Sequence, residues 1–140
     1  MLEDMENNGL EYHSGWDCCV PQIFWTYVVF FDPDAFPGEK PATMADFFDT
    51  EKFPGKRGIH TWATGIIEKA MVADGVKPTA VPTVLEKQTG ALDRAFAKLD
   101  TIKDDIVFWS AGSQPLELVK SGEVVMAIAY NGRVGAANLA

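Results

Sequence analysis

The side chains from which enzymes build metal and nucleophilic centres are scarce in this 140-residue chain, which has two cysteines and two histidines. Cys18 and Cys19 are adjacent, a spacing that rarely meets disulfide geometry and that gives no metal-ligand pattern. Neither histidine belongs to an HExxH spacing, and the sequence has no GxSxG, GxGxxG or GxxxxGK(S/T) pattern. We therefore predict that the chain is not an enzyme, holds no metal and uses no cofactor.

Basic charge and long hydrophobic runs are also in short supply. The 12 Lys and Arg stand against 20 Asp and Glu, a formal net charge of -8, whereas nucleic-acid binding needs clustered basic residues. The longest apolar run, Ile23 to Phe31, is far shorter than the roughly 20 residues of a membrane helix. The acidic, polar amino terminus lacks the features of a secretory signal. Composition thus excludes a nucleic-acid partner and favours one globular domain, since 47% of residues are hydrophobic.

The most informative stretch runs from Ile106 to Arg133 and alternates strand, loop, helix and strand. Ile106 to Trp109 and Val124 to Tyr130 are apolar on nearly every residue, which is typical of strands covered on both faces. A short helix is expected between them, over Pro115 to Lys120. Covered strands joined through a helix belong to parallel sheets. We predict an α/β fold with a mixed, mainly parallel sheet flanked by helices.

The rest of the chain supplies further predicted elements. Val20 to Phe31 is rich in β-branched and aromatic residues and predicts a long central strand, and Gly58 to Thr61 predicts a short one. Helices are predicted after a capping box at Thr43, over Ile66 to Asp74 with a stop at Gly75, and over Ala91 to Leu99. In the last helix, Leu92, Phe96 and Leu99 form an apolar stripe that predicts its buried face. Two prolines between Lys77 and Gln88 predict a loop.

Polar and aromatic side chains follow the carboxyl ends of the predicted strands, where open α/β sheets bind ligands. Aromatic walls with a few hydroxyl and amide groups describe a small-molecule cleft. Two simpler interpretations stay open: Ser113 acts only as a helix N-cap while Ser110 only turns the chain, and the aromatic residues belong to the core. The candidate ligand-binding residues are Thr61, Trp62, Ser110, Ser113, Gln114, Tyr130 and Asn131.

Five runs of the sequence together resemble a known family. They are VPQIFWTYVVFFD, TMADFFDTEKFPGKRG, MVADGV, LDRAFAKLDTIKDDIVFWSAGSQ and SGEVVMAIAYNGR. In this order they resemble the central part of extracellular solute-binding proteins of ABC importers, of the spermidine/putrescine-binding type. The resemblance covers roughly Gly15 to Val134.

The resemblance implies a two-lobed protein considerably longer than this chain. Residues 1–19 would lead in from the first lobe, and residues 20–140 would form part of the second lobe. The chain's ending, RVGAANLA, follows a predicted strand without a predicted closing helix, as expected of a fragment. The family implies a small polar, cationic or polyamine-like solute, an ABC permease as membrane partner, and a periplasmic or extracellular location.

The resemblance also implies roles for individual residues. The family's ligand-contacting serine falls near Ser110, and the aromatic that stacks on the ligand falls on Tyr130. Its acidic anchors for ammonium groups fall near Trp62 and Gly65, where this chain has no carboxylate. Glu68, one helical turn further on, is the candidate cation anchor. Two other functions remain as alternatives, the effector-binding lobe of a transcription regulator and a small α/β enzyme.

Overall fold

Four strands form one sheet in the order β1-β4-β2-β3 in a computed structural model that describes residues 25–138. The strands are β1 (Tyr27–Phe31), β2 (Arg57–His60), β3 (Ile106–Trp109) and β4 (Met126–Tyr130). The helices are α1 (Met44–Phe48), α2 (Ile66–Ala73), α3 (Val81–Lys87), α4 (Ala91–Asp100), α5 (Gln114–Lys120) and α6 (Asn131–Asn138). The predicted lead-in, both cysteines and the first part of the Val20 to Phe31 strand lie outside the described residues.

The sheet is mixed, as the sequence predicted. β2 runs parallel to both β3 and β4, whereas β1 runs antiparallel to β4 with Tyr27 opposite Tyr130. The prediction of a central strand at Val20 to Phe31 was wrong for the described part, because β1 is the outermost strand of the described sheet. All five residues of β1 are partly exposed, so a run of aromatic and β-branched residues did not mean full cover.

The hydrophobic core lies between one face of the sheet and the helices that precede β3. Ile59, Met126 and Ile128 belong to it together with buried residues of α1, α2 and α4. On the opposite face α5 packs against β2 and β4. A Cβ added at Gly58 would lie 2.9 Å from the Cβ of Ala127, so β2 and β4 lie too close for a side chain at that position. None of the helices between residues 25 and 138 is long and apolar enough to cross a membrane.

Local end signals placed two helices correctly. The Thr43 hydroxyl accepts from the Asp46 backbone N–H at 3.2 Å while the Asp46 carboxylate accepts from the Thr43 N–H at 2.8 Å, which is the predicted capping box. Gly75 ends α2 with φ of 91°. The Val76 N–H then donates to the Met71 carbonyl at 3.0 Å.

Three predictions about helices were wrong. In α4 the buried residues are Ala91 and Ala95, while Leu92 and Phe96 are 53% and 54% exposed. Leu92 and Phe96 therefore do not mark the buried face, since the helix packs closely through its alanines, whereas Leu99, the third residue of the stripe, packs against the core. A helix, α3, occupies part of the predicted loop, because Pro82 stands in its first turn, where proline costs no hydrogen bond.

The third correction concerns the end of the chain. Helix α6 begins at Asn131, directly after β4, where no helix was predicted. Two glycines and an alanine pair in NGRVGAAN obscured the helical pattern, because none of the eight residues is buried and no apolar stripe results.

Arg57 holds the amino end of β2 in place and is fully buried. Its guanidinium donates to the carbonyl oxygens of Phe47 (2.7 Å), Gly55 (2.5 Å), Phe53 (2.6 Å) and Asp49 (3.2 Å). Burial lowers the pKa of Arg57, with Asp105 and Asp49 acting in the opposite direction. The charged turn of the sequence thus carries a structural cation that fastens the segment after α1 to the sheet.

Candidate functional site

An aromatic cluster lies where the carboxyl end of β4 meets the amino end of β1. Tyr27 and Tyr130 stack with ring centroids 5.1 Å apart, and Trp25 meets both edge-on at 5.2 Å. The Tyr27 hydroxyl donates to the Tyr130 hydroxyl at 3.5 Å. Burial, followed by this contact, raises the pKa of Tyr27 to about 12. The Tyr27 ring is therefore neutral at physiological pH, and the stacked pair offers π surfaces suited to cation–π contact and stacking.

His60, the last residue of β2, joins this cluster to two tryptophans. Its ring centroid lies 4.3 Å from that of Trp109, 4.7 Å from Trp62 and 6.4 Å from Tyr130. Its Nδ1 accepts a hydrogen bond from the Trp62 backbone N–H at 2.9 Å. His60 is 5% exposed and Trp109 1%, whereas Trp62 is 62% exposed. The buried pair thus supports an exposed indole at the strand ends.

The loop between β3 and α5 uses its polar groups internally. The Gln114 Oε1 accepts from the backbone N–H groups of Ser110 (2.8 Å) and Ala111 (2.7 Å). Ser113 stands at the N-cap position with helical backbone angles, and its side chain makes no capping hydrogen bond. The interpretation that Ser113 acts as a helix N-cap through its hydroxyl was wrong, and Gln114 accepts from two of the backbone N–H groups of the loop.

The β3–α5 loop reaches the aromatic cluster through Gly112. A Cβ at Gly112 would lie 3.1 Å from the Arg133 Nε and 3.4 Å from the Tyr130 ring. A side chain there would touch the Tyr130 ring and would require the Arg133 side chain to shift by a few tenths of an ångström. The loop therefore packs beside Tyr130. The guanidinium of Arg133, a residue of α6, lies at the same end of the sheet.

Asn131 extends the pairing of β1 and β4 by one residue. Its Oδ1 accepts from the Thr26 N–H at 3.0 Å, and its own N–H donates to the Thr26 carbonyl at 2.9 Å. These two bonds fix the neighbouring Tyr130 against Tyr27. Asn131 lies in the predicted cluster, yet its amide oxygen already has a partner in the protein.

Two cations flank the aromatic cluster. The Lys69 Nζ lies 4.9 Å from the centre of the Tyr27 ring and donates to the Gly65 carbonyl at 3.1 Å. Burial lowers the pKa of Lys69, and Glu68 acts in the opposite direction. Among residues 25–138, no carboxylate forms a salt bridge with Lys69 or Arg133. Apart from the through-space effect of Glu68 on Lys69, the two cations are thus open to an anionic group.

Glu68, the candidate cation anchor, has a structural partner. Its Oε2 accepts from the Gly65 N–H at 2.8 Å at the start of α2. Gly65 has φ of 85°, and a Cβ there would lie 2.7 Å from the Tyr27 ring. Both the backbone angle and the contact therefore require glycine.

Thr61 and Trp62 line a groove of about 330 Å³ next to the aromatic cluster. The groove is mostly apolar and runs between β3, α2 and α4, with Phe96 and Phe108 on its wall and the oppositely charged Asp100 and Lys103 at its rim. Of the predicted residues, these two lie in the groove, while Tyr130 and Asn131 lie in the aromatic cluster. His60 connects the two.

Sequence reasoning missed Tyr27, His60, Lys69 and Arg133. The Tyr27 and Tyr130 pair depends on the antiparallel register of β1 and β4, which no local pattern encodes. The NGR triplet directly after the predicted strand was a usable signal for Arg133, since it brings a guanidinium near the strand end. Within the described part of the chain, no group of three His, Cys, Asp or Glu side chains could hold a metal ion.

An open mixed sheet flanked by helices, with an aromatic cleft at its strand ends, defines a lobe of the periplasmic-binding-protein type. The chain belongs to the bacterial extracellular solute-binding protein family, whose profile matches residues 3–140. A gamma-aminobutyric acid-binding protein of Pseudomonas aeruginosa is 42% identical over 121 residues, which are 86% of this chain and 34% of that protein.

Solved structures agree with this assignment. The GABA receptor Atu4243 is 42% identical with a TM-score of 0.70, over 83% of this chain and 35% of its own. The binding protein MotA of A. tumefaciens B6, solved with glucopine, is 35% identical with a TM-score of 0.72, over 79% of this chain and 34% of its own. A spermidine/putrescine-binding protein matches at 14% identity, which shows the shared fold alone. The chain thus spans about a third of the length of these relatives.

Proposed function

We propose that this chain forms part of one lobe of the substrate-binding component of an ABC importer, and that its solute is a small amino compound with a free carboxylate, such as GABA. The observation that carries this proposal is an aromatic wall flanked by two cations at one end of the sheet. Tyr27 and Tyr130 form the wall. Lys69 and Arg133 supply the positive charge.

The charges favour an anionic group on the solute. A guanidinium such as that of Arg133 binds carboxylates through two parallel hydrogen bonds, and an ammonium such as that of Lys69 binds them as a point charge. Because burial lowers the pKa of Lys69, a bound carboxylate would stabilise its charged form. The faces of Trp25 and Tyr130 suit the ammonium end of the same solute.

The relatives support this class of solute. The curated relative is named as a GABA-binding protein and the solved receptor as a GABA receptor, each at 42% identity. GABA carries one carboxylate and one ammonium group, which matches a cleft that offers cations and aromatic faces together. By the same family membership we propose a periplasmic or extracellular location, an ABC permease as partner, and a binding rather than enzymatic role.

A polyamine is the competing solute. It carries ammonium groups at both ends and needs paired carboxylates, because an unpaired buried charge is costly. Glu68 is the candidate anchor, and it already caps α2 through Gly65.

We also propose a domain organisation for the chain. Residues 1–19 lead in from a first lobe, and residues 20–140 form part of the second. The solute is enclosed when the two lobes close.

Ligand titration followed by NMR tests the proposal. A single lobe offers half a cleft, so the method must detect dissociation constants near 1 mM, about 4 kcal/mol of binding free energy. GABA, putrescine and spermidine are added separately to the labelled chain. We expect GABA to shift the signals of Tyr27 and Tyr130. Shifts with putrescine and spermidine but not with GABA would favour the polyamine, and no shifts with any of the three would remove this cluster from the binding site.

Variants locate the binding contacts. Tyr130→Ala should weaken GABA binding by about 1 to 3 kcal/mol, the range for losing a stacking or cation–π partner. Lys69→Met should weaken it more strongly than Lys87→Met, a control that removes an exposed lysine from the last turn of α3. Equal effects of the two lysine variants would mean that net charge, and not a local contact, attracts the solute.

A further inference from the structure

We propose that His60 is a positioning residue that holds Trp62 at the cleft only while its imidazole is neutral, so that the cleft loosens when the ring takes up a proton. The ligand part of this proposal rests on the proposed function, since it assumes that Trp62 contacts the solute. The positioning part rests on the geometry around His60 alone.

The hydrogen bond at Nδ1 fixes the protonation state of the ring. Nδ1 accepts from the Trp62 backbone N–H at 2.9 Å, and a nitrogen that accepts cannot carry a proton. The neutral ring must therefore be the tautomer with its proton on Nε2. Protonation would place an N–H group against the Trp62 N–H, which would replace an attractive contact by a repulsive one.

The position of Trp62 depends on its hydrogen bond to His60 more than the positions of the neighbouring residues do. Its side chain is 62% exposed, and its segment after β2 is neither helix nor strand. Its ring lies against the His60 ring at 4.7 Å. The Thr61 N–H is held separately by the Trp109 carbonyl at 3.0 Å, so the strand end stays fixed while the following residue can move.

The surroundings keep the ring neutral at physiological pH. Burial lowers the pKa of His60, while a hydrogen bond with the Ser110 backbone works in the opposite direction. Three elements packed near His60 carry titratable groups. Tyr130 of β4 lies 6.4 Å away between ring centres, and Asp100 of α4 and the following Lys103 line the same groove. Glu68 and Lys69 of α2 bind the Gly65 backbone. Arg133 of α6 lies against Gly112, in the loop that follows β3.

Replacing His60 by two amides separates acceptor geometry from titration. His60→Asn places a carbonyl oxygen near the position of Nδ1, so it can accept from the Trp62 N–H and does not titrate between pH 5 and 8. His60→Gln carries the same amide one methylene further out, near the position of Nε2. We expect the Trp62 amide signal of His60→Asn, but not that of His60→Gln, to match the signal of the wild type.

NMR of the full chain without ligand tests the positioning itself. We expect the Nε2–H tautomer of His60 at pH 7.5, and a Trp62 amide shift that titrates with the same midpoint as the His60 ring. The Nδ1–H tautomer at pH 7.5, or a Trp62 amide that does not respond when His60 titrates, would overturn the proposal. The tautomer is measured at neutral pH, so it decides even if the chain unfolds in acid.

GABA titration at pH 7.5 and at a pH below the His60 midpoint tests the consequence for binding. We expect the wild-type affinity to fall between about twofold and tenfold in acid, the range for losing one hydrogen bond, and His60→Asn to show no such fall. If GABA does not bind at any pH while the Trp62 amide still follows His60, the proposed solute is wrong and the positioning role stands. An equal acid loss in wild type and His60→Asn would refute the coupling to binding.

Discussion

Replacing Arg57 by methionine should markedly destabilise the fold. It should leave the local geometry of the cleft unchanged, because Arg57 stands at the opposite end of β2 from His60. Methionine keeps an unbranched side chain out to the position of the Arg57 Nε but removes every donor. Four carbonyl oxygens then lose their partner, of which those of Phe47 and Phe53 receive the two fully buried hydrogen bonds. Each buried carbonyl left unpaired costs about 1 to 3 kcal/mol, so these two alone cost about 2 to 6 kcal/mol.

Part of that cost is offset because the variant no longer buries a charge. Burial lowers the pKa of Arg57, which shows that the folded chain works against the ionised form. We expect a net loss of about 3 kcal/mol in the free energy of unfolding, a large share of the roughly 5 to 15 kcal/mol typical of a domain.

Urea denaturation followed by circular dichroism measures this loss. Arg57→Lys keeps the charge but gathers its donors on one atom, so it should fall between the wild type and Arg57→Met. Arg94→Met is the matched control, because Arg94 forms an exposed salt bridge with Asp74 and should cost less than about 1 kcal/mol. An Arg57→Met variant within about 1 kcal/mol of the wild type would refute the assignment of Arg57 as the anchor of the segment after α1.

Three further predictions concern the cleft and its supports. Gly65→Ala should destabilise the chain by more than Gly75→Ala, as compared by urea denaturation, because both have positive φ but only Gly65 packs against Tyr27. Phe47→Ala should cost about 3 to 5 kcal/mol and Phe96→Ala roughly half as much or less, since Phe47 is fully buried and Phe96 is 54% exposed; equal costs would contradict this. His60 has a folded pKa below 6.5, so the unfolded chain binds a proton first as pH falls. Stability should therefore drop below pH 6.5 until the folded pKa is reached, and denaturation at several pH values should show a smaller drop for His60→Asn.

Short-range signals in the sequence were reliable wherever a residue acts on its own neighbourhood. The capping box at Thr43 and the glycine stop at Gly75 both describe contacts within a few residues of the chain. Each gave the correct helix end, because the free energy that decides it is local. The apolar run Ile106 to Trp109 gave a strand, β3, but the predicted cover on both faces was wrong, since Phe108 is 63% exposed and β3 is an edge strand of the described sheet. The parallel pairing of β2 with β3 and β4 agrees with the predicted alternation of apolar strands and helices, which leaves few other arrangements.

The sequence did not predict features that depend on a partner element, such as the buried face of α4 and the direction of β1. Leu92 and Phe96 satisfied the helical period as well as Ala91 and Ala95 did, yet the helix buries its alanines. A close approach of two helices selects small residues, and periodicity alone does not say which of two neighbouring stripes meets the partner. The antiparallel direction of β1 was hidden for the same reason, since its side-chain pattern is compatible with either direction.

The candidate site shows both kinds of signal within a single strand. β2 is buried along its whole length and carries a polar side chain at each end. Arg57 is fully buried and gives four of its five N–H donors to backbone carbonyls, so it serves to hold the fold together. His60 meets one backbone N–H through a nitrogen that must stay unprotonated, and it lies beneath an exposed indole. Burial is similar at the two ends, so burial does not separate structural from functional residues here. The two residues differ in the partners of their polar contacts. Arg57 binds only backbone carbonyls within the fold, whereas His60 binds the backbone of Trp62, whose side chain faces the cleft.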